Sequence, residues 1–243
     1  MIICEVGLNH LGREDYSTHY IEVLTSLYCD AITYQIREKD FYERDKYKGY
    51  DLSFKHYAKL KNSTNKKFGI ALANHDLISE CENIGIDFYK TLSWDLSNYN
   101  FIDKLLETGK PIHISTGTSS LEDLDKFYKR YGNNDHINFI HTQLTQDSKD
   151  ANLSAITTLK ERYPYGIGYG NHSSNMKIIF GAVALRPEDI WIYVRGSVNT
   201  WRFHPDEFWA LSLNDADEFL RDIWELKKAL GNGLKESTNT KGY

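Results

Sequence analysis

The chain repeats one alternation eight times: a short apolar run, then a longer stretch with helical spacing. The runs, rich in Ile, Val, Phe and Tyr, occupy residues 2–6, 31–35, 68–72, 88–91, 111–115, 137–142, 166–169 and 190–194. Between them lie amphipathic segments. Ser119-x-x-Glu122 reads as a capping box that opens a helix running towards Arg130. Residues 152–162 carry Leu153, Ile156 and Leu159 on one face, with Pro164 as a stop. The last helix shows Phe219, Ile223, Leu226 and Leu230 on one face and ends at Gly231. Eight units in 243 residues average about 30 residues each, the size of a βα unit. Strand–helix alternation implies parallel strands, and eight of them favour closure into a single (β/α)8 TIM barrel, class α/β. A doubly wound open sheet is the rival architecture. The expected organisation is one barrel over residues 1–235 with a short tail at 236–243.

Composition narrows the function classes. A 41% hydrophobic share supplies a large core, while the net charge of −5, without a basic cluster, argues against nucleic acid or a polybasic membrane patch as partner. No apolar stretch is long enough to span a bilayer. Cys4, Cys29 and Cys81 lack C-x-x-C spacing and read as buried thiols in a reducing compartment. The expectation is a cytoplasmic protein.

In a barrel of this kind, chemistry sits where strands end and βα loops begin. Polar residues stand at almost every such position. They are Glu5, Asn9 and His10 after the first strand, Gln35 and Arg37 after the second, and Asn74, His75 and Asp76 after the third. Lys90, Ser93 and Asp95 follow the fourth, Ser115, Thr116 and Gly117 the fifth, and His141 and Gln143 the sixth. Asn171 and His172 follow the seventh, and Arg195 and Asn199 the eighth. Lys90 stands out, because a lysine inside an apolar strand needs a partner or a ligand. Glu5 or Asp95 could pair with it, or it could bind phosphate. His75 and His141 also read as rim histidines, and His19, His56, His113, His136 and His204 as surface or structural.

Six segments, in order, resemble the N-acetylneuraminate (sialic acid) synthase family. Glu5-Val-Gly-Leu-Asn-His-Leu-Gly12 is similar to its E-[IV]-G-x-N-H-x-G opening, and Ala31-Ile-Thr-Tyr-Gln35 to A-x-K-F-Q. Tyr89-Lys90-x-x-Ser93 resembles Y-K-I-P-S, and Thr108-Gly-Lys-Pro-Ile-His-Ile-Ser-Thr-Gly117 resembles T-G-K-P-[IV]-[IL]-[IL]-S-T-G. Asn152-Leu-x-x-Ile-x-x-Leu-Lys160 and Gly168-Tyr-x-x-His172 fit the segments that follow. The resemblance implies condensation of phosphoenolpyruvate with an aldehyde sugar, an N-acylhexosamine or a relative, to a nonulosonate-type acid with release of phosphate. It implies a divalent metal, Mn²⁺ or Mg²⁺. Phosphoenolpyruvate is a small anion that asks for cations, hydroxyls and N–H groups. By resemblance, Lys90, Ser93, Ser115, Asn152 and Gln35 bind substrate, Glu5 works near the acceptor, and His172 is a metal ligand.

The departures concentrate in the same places. The family's second metal histidine falls on Val194, in the segment Tyr193-Val194-Arg195-Gly196, and the lysine of A-x-K-F-Q is Thr33. The Y-S-D-H run is Tyr169-Gly-Asn-His172, and S-T-P-F-D is Leu72-Ala-Asn-His-Asp76. Arg195 offers a replacement cation and His75 a replacement metal ligand. The family's C-terminal antifreeze-like domain has no counterpart after Lys235, which leaves acceptor and oligomeric state open. Alternatives are a Schiff-base aldolase acting through Lys90, and a catalytically silent barrel that binds sugar phosphates or serves as a partner subunit.

Overall fold

The alternation folds as expected. A computed structural model describes residues 1–196 and 203–235; Asn199 and the expected tail at 236–243 lie outside the described residues. The first half runs β1 (Ile2–Gly7), α1 (Glu14–Thr25), β2 (Ala31–Ile36), α2 (Lys39–Glu43), α3 (Phe54–Asn62), β3 (Lys67–Leu72), α4 (Ile78–Ile84) and β4 (Phe88–Thr91). The second half runs α5 (Tyr99–Leu106), β5 (Ile112–Ser115), α6 (Leu121–Tyr131), β6 (Ile137–Thr142), α7 (Ser154–Arg162), β7 (Gly166–Gly170), α8 (Lys177–Ala184), β8 (Ile190–Arg195), β9 (Leu211–Ser212) and α9 (Ala216–Ala229). Strands β1 to β8 pair in sequence order, and β8 closes on β1 in parallel, Ile3 opposite Trp191 and Glu5 opposite Tyr193. That closure excludes the open sheet. The short β9 was not foreseen; it pairs with the end of β8.

Period-two alternation sorts the side chains of every strand into two layers. Outward residues such as Val6, Ile32, Tyr34, Ile70, Leu72, Ile114, Ile192 and Val194 pack beneath the helices in one continuous core. Each fully buried aliphatic side chain there contributes roughly 1.5–3 kcal/mol. Inward residues fill the barrel, and its floor is the cluster Ile3, Ala31, Phe88, Ile140 and Trp191. Gly69 makes room for that floor, since a Cβ at this position would stand 2.3 Å from the Phe88 ring. His113 also points inward, its ring 5.2 Å from those of Phe88 and Trp191 and its Nδ1 3.0 Å from Asp189 Oδ2.

One boundary needs correction. The capping box that opens α6 is Ser120 with Asp123, not Ser119 with Glu122. The Ser120 hydroxyl accepts from the Asp123 N–H, while the Asp123 carboxylate accepts from the Ser120 N–H. Both spacings satisfy the motif; the turn from β5 decides which serine takes the extended backbone a cap requires.

Candidate active site

The C-terminal mouth of the barrel holds a cavity of about 170 Å³, lined by Glu5, Gln35, Lys90, Ser93, Ser115, His172, Tyr193 and Asp206 with Leu92, Trp94 and Leu144. Alternation explains the polar part. Glu5, Gln35, Lys90, Ser115 and Tyr193 are inward residues near the C-terminal ends of β1, β2, β4, β5 and β8, above the apolar floor. Six expected site residues, Glu5, Gln35, Lys90, Ser93, Ser115 and His172, thus meet in one place.

Lys90 and Glu5 form the centre. Both are buried, at 3% and 2% exposure, and Lys90 Nζ donates to Glu5 Oε2 at 2.5 Å and to the Tyr193 hydroxyl at 3.2 Å. Of the two structural partners weighed for Lys90, the fold selects Glu5; Asp95 instead accepts from the Leu92 N–H at 3.1 Å. An amine so engaged is poorly placed to attack a carbonyl, which weakens the Schiff-base alternative.

His172 stands at the far wall, its ring 4.7 Å from that of Tyr193. Burial lowers its imidazole to about 3, with the Lys90 charge acting in the same direction, so the ring is neutral near pH 7. Thr142 Oγ1 donates to the Gly170 carbonyl at 2.7 Å and stands 2.8 Å from His172 Nδ1. Because the hydroxyl has a single proton, this network assigns the His172 proton to Nδ1 and leaves Nε2 as an acceptor.

Asp206 is the residue that sequence reasoning missed. It lies in the connection after β8 and is held by Asn9. Asn9 Nδ2 donates to Asp206 Oδ2 at 3.1 Å and to the Val194 carbonyl at 2.8 Å, and Asn9 Oδ1 accepts from the Asp206 N–H at 3.1 Å. Burial and the neighbouring Glu5 carboxylate push Asp206 up to about 7, against the opposing pull of Lys90 and Asn9. Tyr193 was also missed as a site residue. It faces the cavity, whereas Val194 packs outward in the helix layer. The position on β8 that faces the cavity is therefore a phenol.

Three expected residues do not line the cavity. Asn152 is exposed, with φ +39° at the end of the turn Ser148–Ala151. Arg195 turns to Glu207, Nε to Oε1 at 3.5 Å, so it supplies no replacement cation in the cavity. His75 sits in the turn His75–Leu77 with Nε2 3.1 Å from Asp76 Oδ1. Among the described residues no three His, Cys, Asp or Glu side chains are grouped so as to hold a metal ion. His172 Nε2 is one prepared nitrogen without a coordination set, and the pairing of His75 with His172 is not formed. The described residues do not fit a bound divalent cation. His141, bonded through Nε2 to the Ala151 carbonyl at 2.9 Å, is structural.

The described residues contain no helix long and apolar enough to cross a membrane. Comparison with known proteins returns a consistent set. A family model described as the NeuB family matches residues 16–235. An uncharacterised protein of Methanocaldococcus jannaschii is 27% identical over 96% of this chain and 73% of its own length. The N,N'-diacetyllegionaminic acid synthase of Campylobacter jejuni is 23% identical over 99% and 80%, and the N-acetylneuraminate-9-phosphate synthase of Mus musculus 25% identical over 97% and 72%. Among solved structures, an N-acetylneuraminic acid synthetase from Leptospira borgpetersenii, in complex with citrate, superposes with TM-score 0.87 at 24% identity, covering 98% of this chain and 87% of that one. At that identity the superposition speaks for the fold alone.

Proposed function

The chain belongs to the NeuB family, and from that premise we propose that it condenses phosphoenolpyruvate with an aldehyde sugar to a 2-keto-3-deoxy acid, releasing phosphate. The observation that carries the reading is the meeting of Lys90, Ser93, Ser115, Glu5, Gln35 and His172 around one cavity at the strand ends. The names of the synthases among its relatives support the same class.

In this reading Lys90 with the hydroxyls of Ser93 and Ser115 binds the anionic end of phosphoenolpyruvate. Thr33, buried inside β2 where the family pattern has lysine, supplies no charge. Lys90 therefore divides its donors between Glu5 and the ligand, and Tyr193 adds a hydroxyl. Carbon–carbon bond formation puts negative charge on the acceptor's aldehyde oxygen, and a protonated Asp206 meets that charge with a hydrogen bond. Water adds at C2 of the donor, which the new carbon–carbon bond leaves electron-deficient, and one of its protons passes to His172 Nε2. The C2–O bond to phosphate then breaks, the C2 hydroxyl gives its remaining proton to the departing phosphate, and the ketone remains.

Thermal unfolding with phosphoenolpyruvate tests the donor half without knowledge of the acceptor. Ligand at about 100 times its dissociation constant adds roughly 2.7 kcal/mol, which raises the melting temperature, and Lys90→Ala abolishes the rise. Phosphate release upon addition of N-acylhexosamines tests the other half. Absence of any shift, both with Mn²⁺ and in chelator, sinks the reading.

A further inference from the structure

Two groups at the mouth carry a proton that no described residue accepts. Lys90 Nζ donates to the Tyr193 hydroxyl at 3.2 Å. An ammonium has no lone pair, so the phenol is the acceptor in that bond, and among the described residues its own proton has no partner. Tyr193 is buried, and burial together with the Glu5 and Asp206 carboxylates raises the phenol well above its usual value, so it stays neutral. Asp206 is arranged in a similar way. Asn9 Nδ2 reaches its Oδ2 at 3.1 Å, no described group reaches Oδ1, and the carboxyl, pushed up to about 7, holds a proton below neutral pH. Both side chains line the cavity. A buried donor without an acceptor is a cost to the fold that a ligand oxygen removes.

These donors suit an oxyanion better than a metal. Attack by C3 of phosphoenolpyruvate puts negative charge on the acceptor's aldehyde oxygen, and either a Lewis acid or a pair of fixed hydrogen bonds can meet it. A cation at His172 Nε2 would need further ligands. The His172 ring is flanked instead by the rings of Tyr193 and Trp209, with centroids 4.7 Å and 5.3 Å away, and its Nδ1 is engaged by Thr142. Glu5 is committed to Lys90 at 2.5 Å. The Lys90 charge, which already disfavours a proton on the imidazole, would oppose a divalent ion more strongly. The stretch 197–202 reads Ser-Val-Asn-Thr-Trp-Arg and contributes no His, Cys, Asp or Glu.

We propose that condensation at this mouth needs no divalent cation, and that the Tyr193 hydroxyl and the Asp206 carboxyl form the oxyanion hole for the aldehyde oxygen. The proposal rests on the condensation reading above. As C3 of the donor bonds to the aldehyde carbon, the carbonyl electron pair moves to oxygen. Asp206 gives that oxygen its proton, while Tyr193 keeps its own and donates a hydrogen bond. Water supplies the balance: one of its protons passes to His172 Nε2 and from there back to Asp206, and the other leaves with phosphate. Both acids return to their starting state, and no co-reactant is required.

Phosphate release by the full chain, given phosphoenolpyruvate and a panel of N-acylhexosamines after exhaustive treatment with EDTA, reads the first claim. The expected rate lies within twofold of that in Mn²⁺ or Mg²⁺, and Mn²⁺ titration followed by electron paramagnetic resonance shows no stoichiometric site. Tyr193→Phe and Asp206→Asn read the second claim. Each should lower kcat at least tenfold, with KM for phosphoenolpyruvate within threefold of wild type and the melting rise it produces retained. A merely structural role would lower affinity and melting temperature together instead. The wild-type rate should fall above pH 7, and Asp206→Asn should flatten that limb. Turnover lost in EDTA and restored by Mn²⁺ overturns the proposal and leaves the condensation reading standing, as does one bound Mn²⁺ per chain. A kcat within twofold of wild type in Tyr193→Phe overturns the oxyanion hole. No phosphate release, with or without metal, sinks the condensation reading, and the proposal falls with it.

Discussion

The barrel carries a buried acid–base pair at each end, and the two pairs do different work. At the floor His113 packs against Phe88 and Trp191 and pairs with Asp189, which the N-terminal ammonium also meets at 3.2 Å. At the mouth Lys90 and Glu5 are as deeply buried but face a cavity. The second carboxylates make the contrast sharper. Asp189 would be raised by burial, but His113 and the N-terminal ammonium together hold it below the usual carboxylate range. Asp206 is pushed up to about 7 by burial and by Glu5, because its cation is already spent on a neighbour. Burial of charge alone therefore identifies no function. What marks the mouth is a cavity, and a carboxyl that burial and Glu5 raise against the pull of Lys90 and Asn9.

The largest expected effect comes from breaking one pair at a time. Removing one partner of a buried pair costs about 3–5 kcal/mol, so His113→Ala and Lys90→Ala should both show a reduced midpoint in urea unfolding. Only Lys90→Ala should lose condensation, by at least a thousandfold per folded molecule, whereas His113→Ala should stay within twofold. Equal loss of activity in both would erase the distinction between floor and mouth.

Adding a methyl group at each end gives a smaller and more selective effect. A Cβ at Gly69 meets the enclosed Phe88 ring at 2.3 Å, and overpacking of this kind costs about 1–3 kcal/mol. A Cβ at Gly117 meets Ser93 Oγ at 2.8 Å and Thr142 Cγ2 at 3.0 Å, where a hydroxyl can rotate away. Gly69→Ala should lower the melting temperature and leave phosphoenolpyruvate affinity unchanged. Gly117→Ala should do the reverse, displacing a ligand-binding hydroxyl at little cost in stability.

The smallest effect is one of pH, opposite in sign at the two ends. Asp206 is raised, from about 3.8 unfolded to about 7 folded, so its contribution is full below pH 4 and is lost as pH rises through 7. Asp189 is depressed, so its contribution is present above the unfolded value and is lost as pH falls through the folded one. Asp206→Asn should therefore flatten the decline in stability between pH 4 and 7, and Asp189→Asn should flatten the acid limb below pH 4. Chemical unfolding across that range reads both. A wild-type profile rising from pH 4 to 7, and unchanged by Asp206→Asn, would remove Asp206 from the mouth's electrostatics.

How far the site was legible depends on whether a residue's position follows from its own strand. Lys90 announced itself as a charge inside an apolar run. Glu5, Gln35 and Ser115 were legible as polar residues at the ends of strands whose limits follow from their hydrophobic runs. Asp206 carried no such signal. It enters the mouth through two hydrogen bonds with Asn9, a residue nearly the whole chain away. Arg195 and His75 looked like replacements because they stand at strand ends, but neighbouring carboxylates at Glu207 and Asp76 take them out of the cavity. Asn152 misled for another reason: its backbone, at φ +39°, ends a turn and leaves the side chain exposed.

Local alternation by itself determined that this chain makes eight parallel strands with helices between them, since strands of period two and helices of period 3.6 alternate along it; a closed barrel and a doubly wound open sheet both bury such strands. It also determined which end of each strand would be polar. Only the tertiary structure decided which of those polar groups meet. Closing β8 onto β1 sets Tyr193 beside Glu5 and turns Val194 outward, brings Lys90 across the barrel to Glu5, and sets Asp206 against Asn9. These contacts join residues distant in the chain, and their geometry follows from barrel closure, which no local pattern encodes.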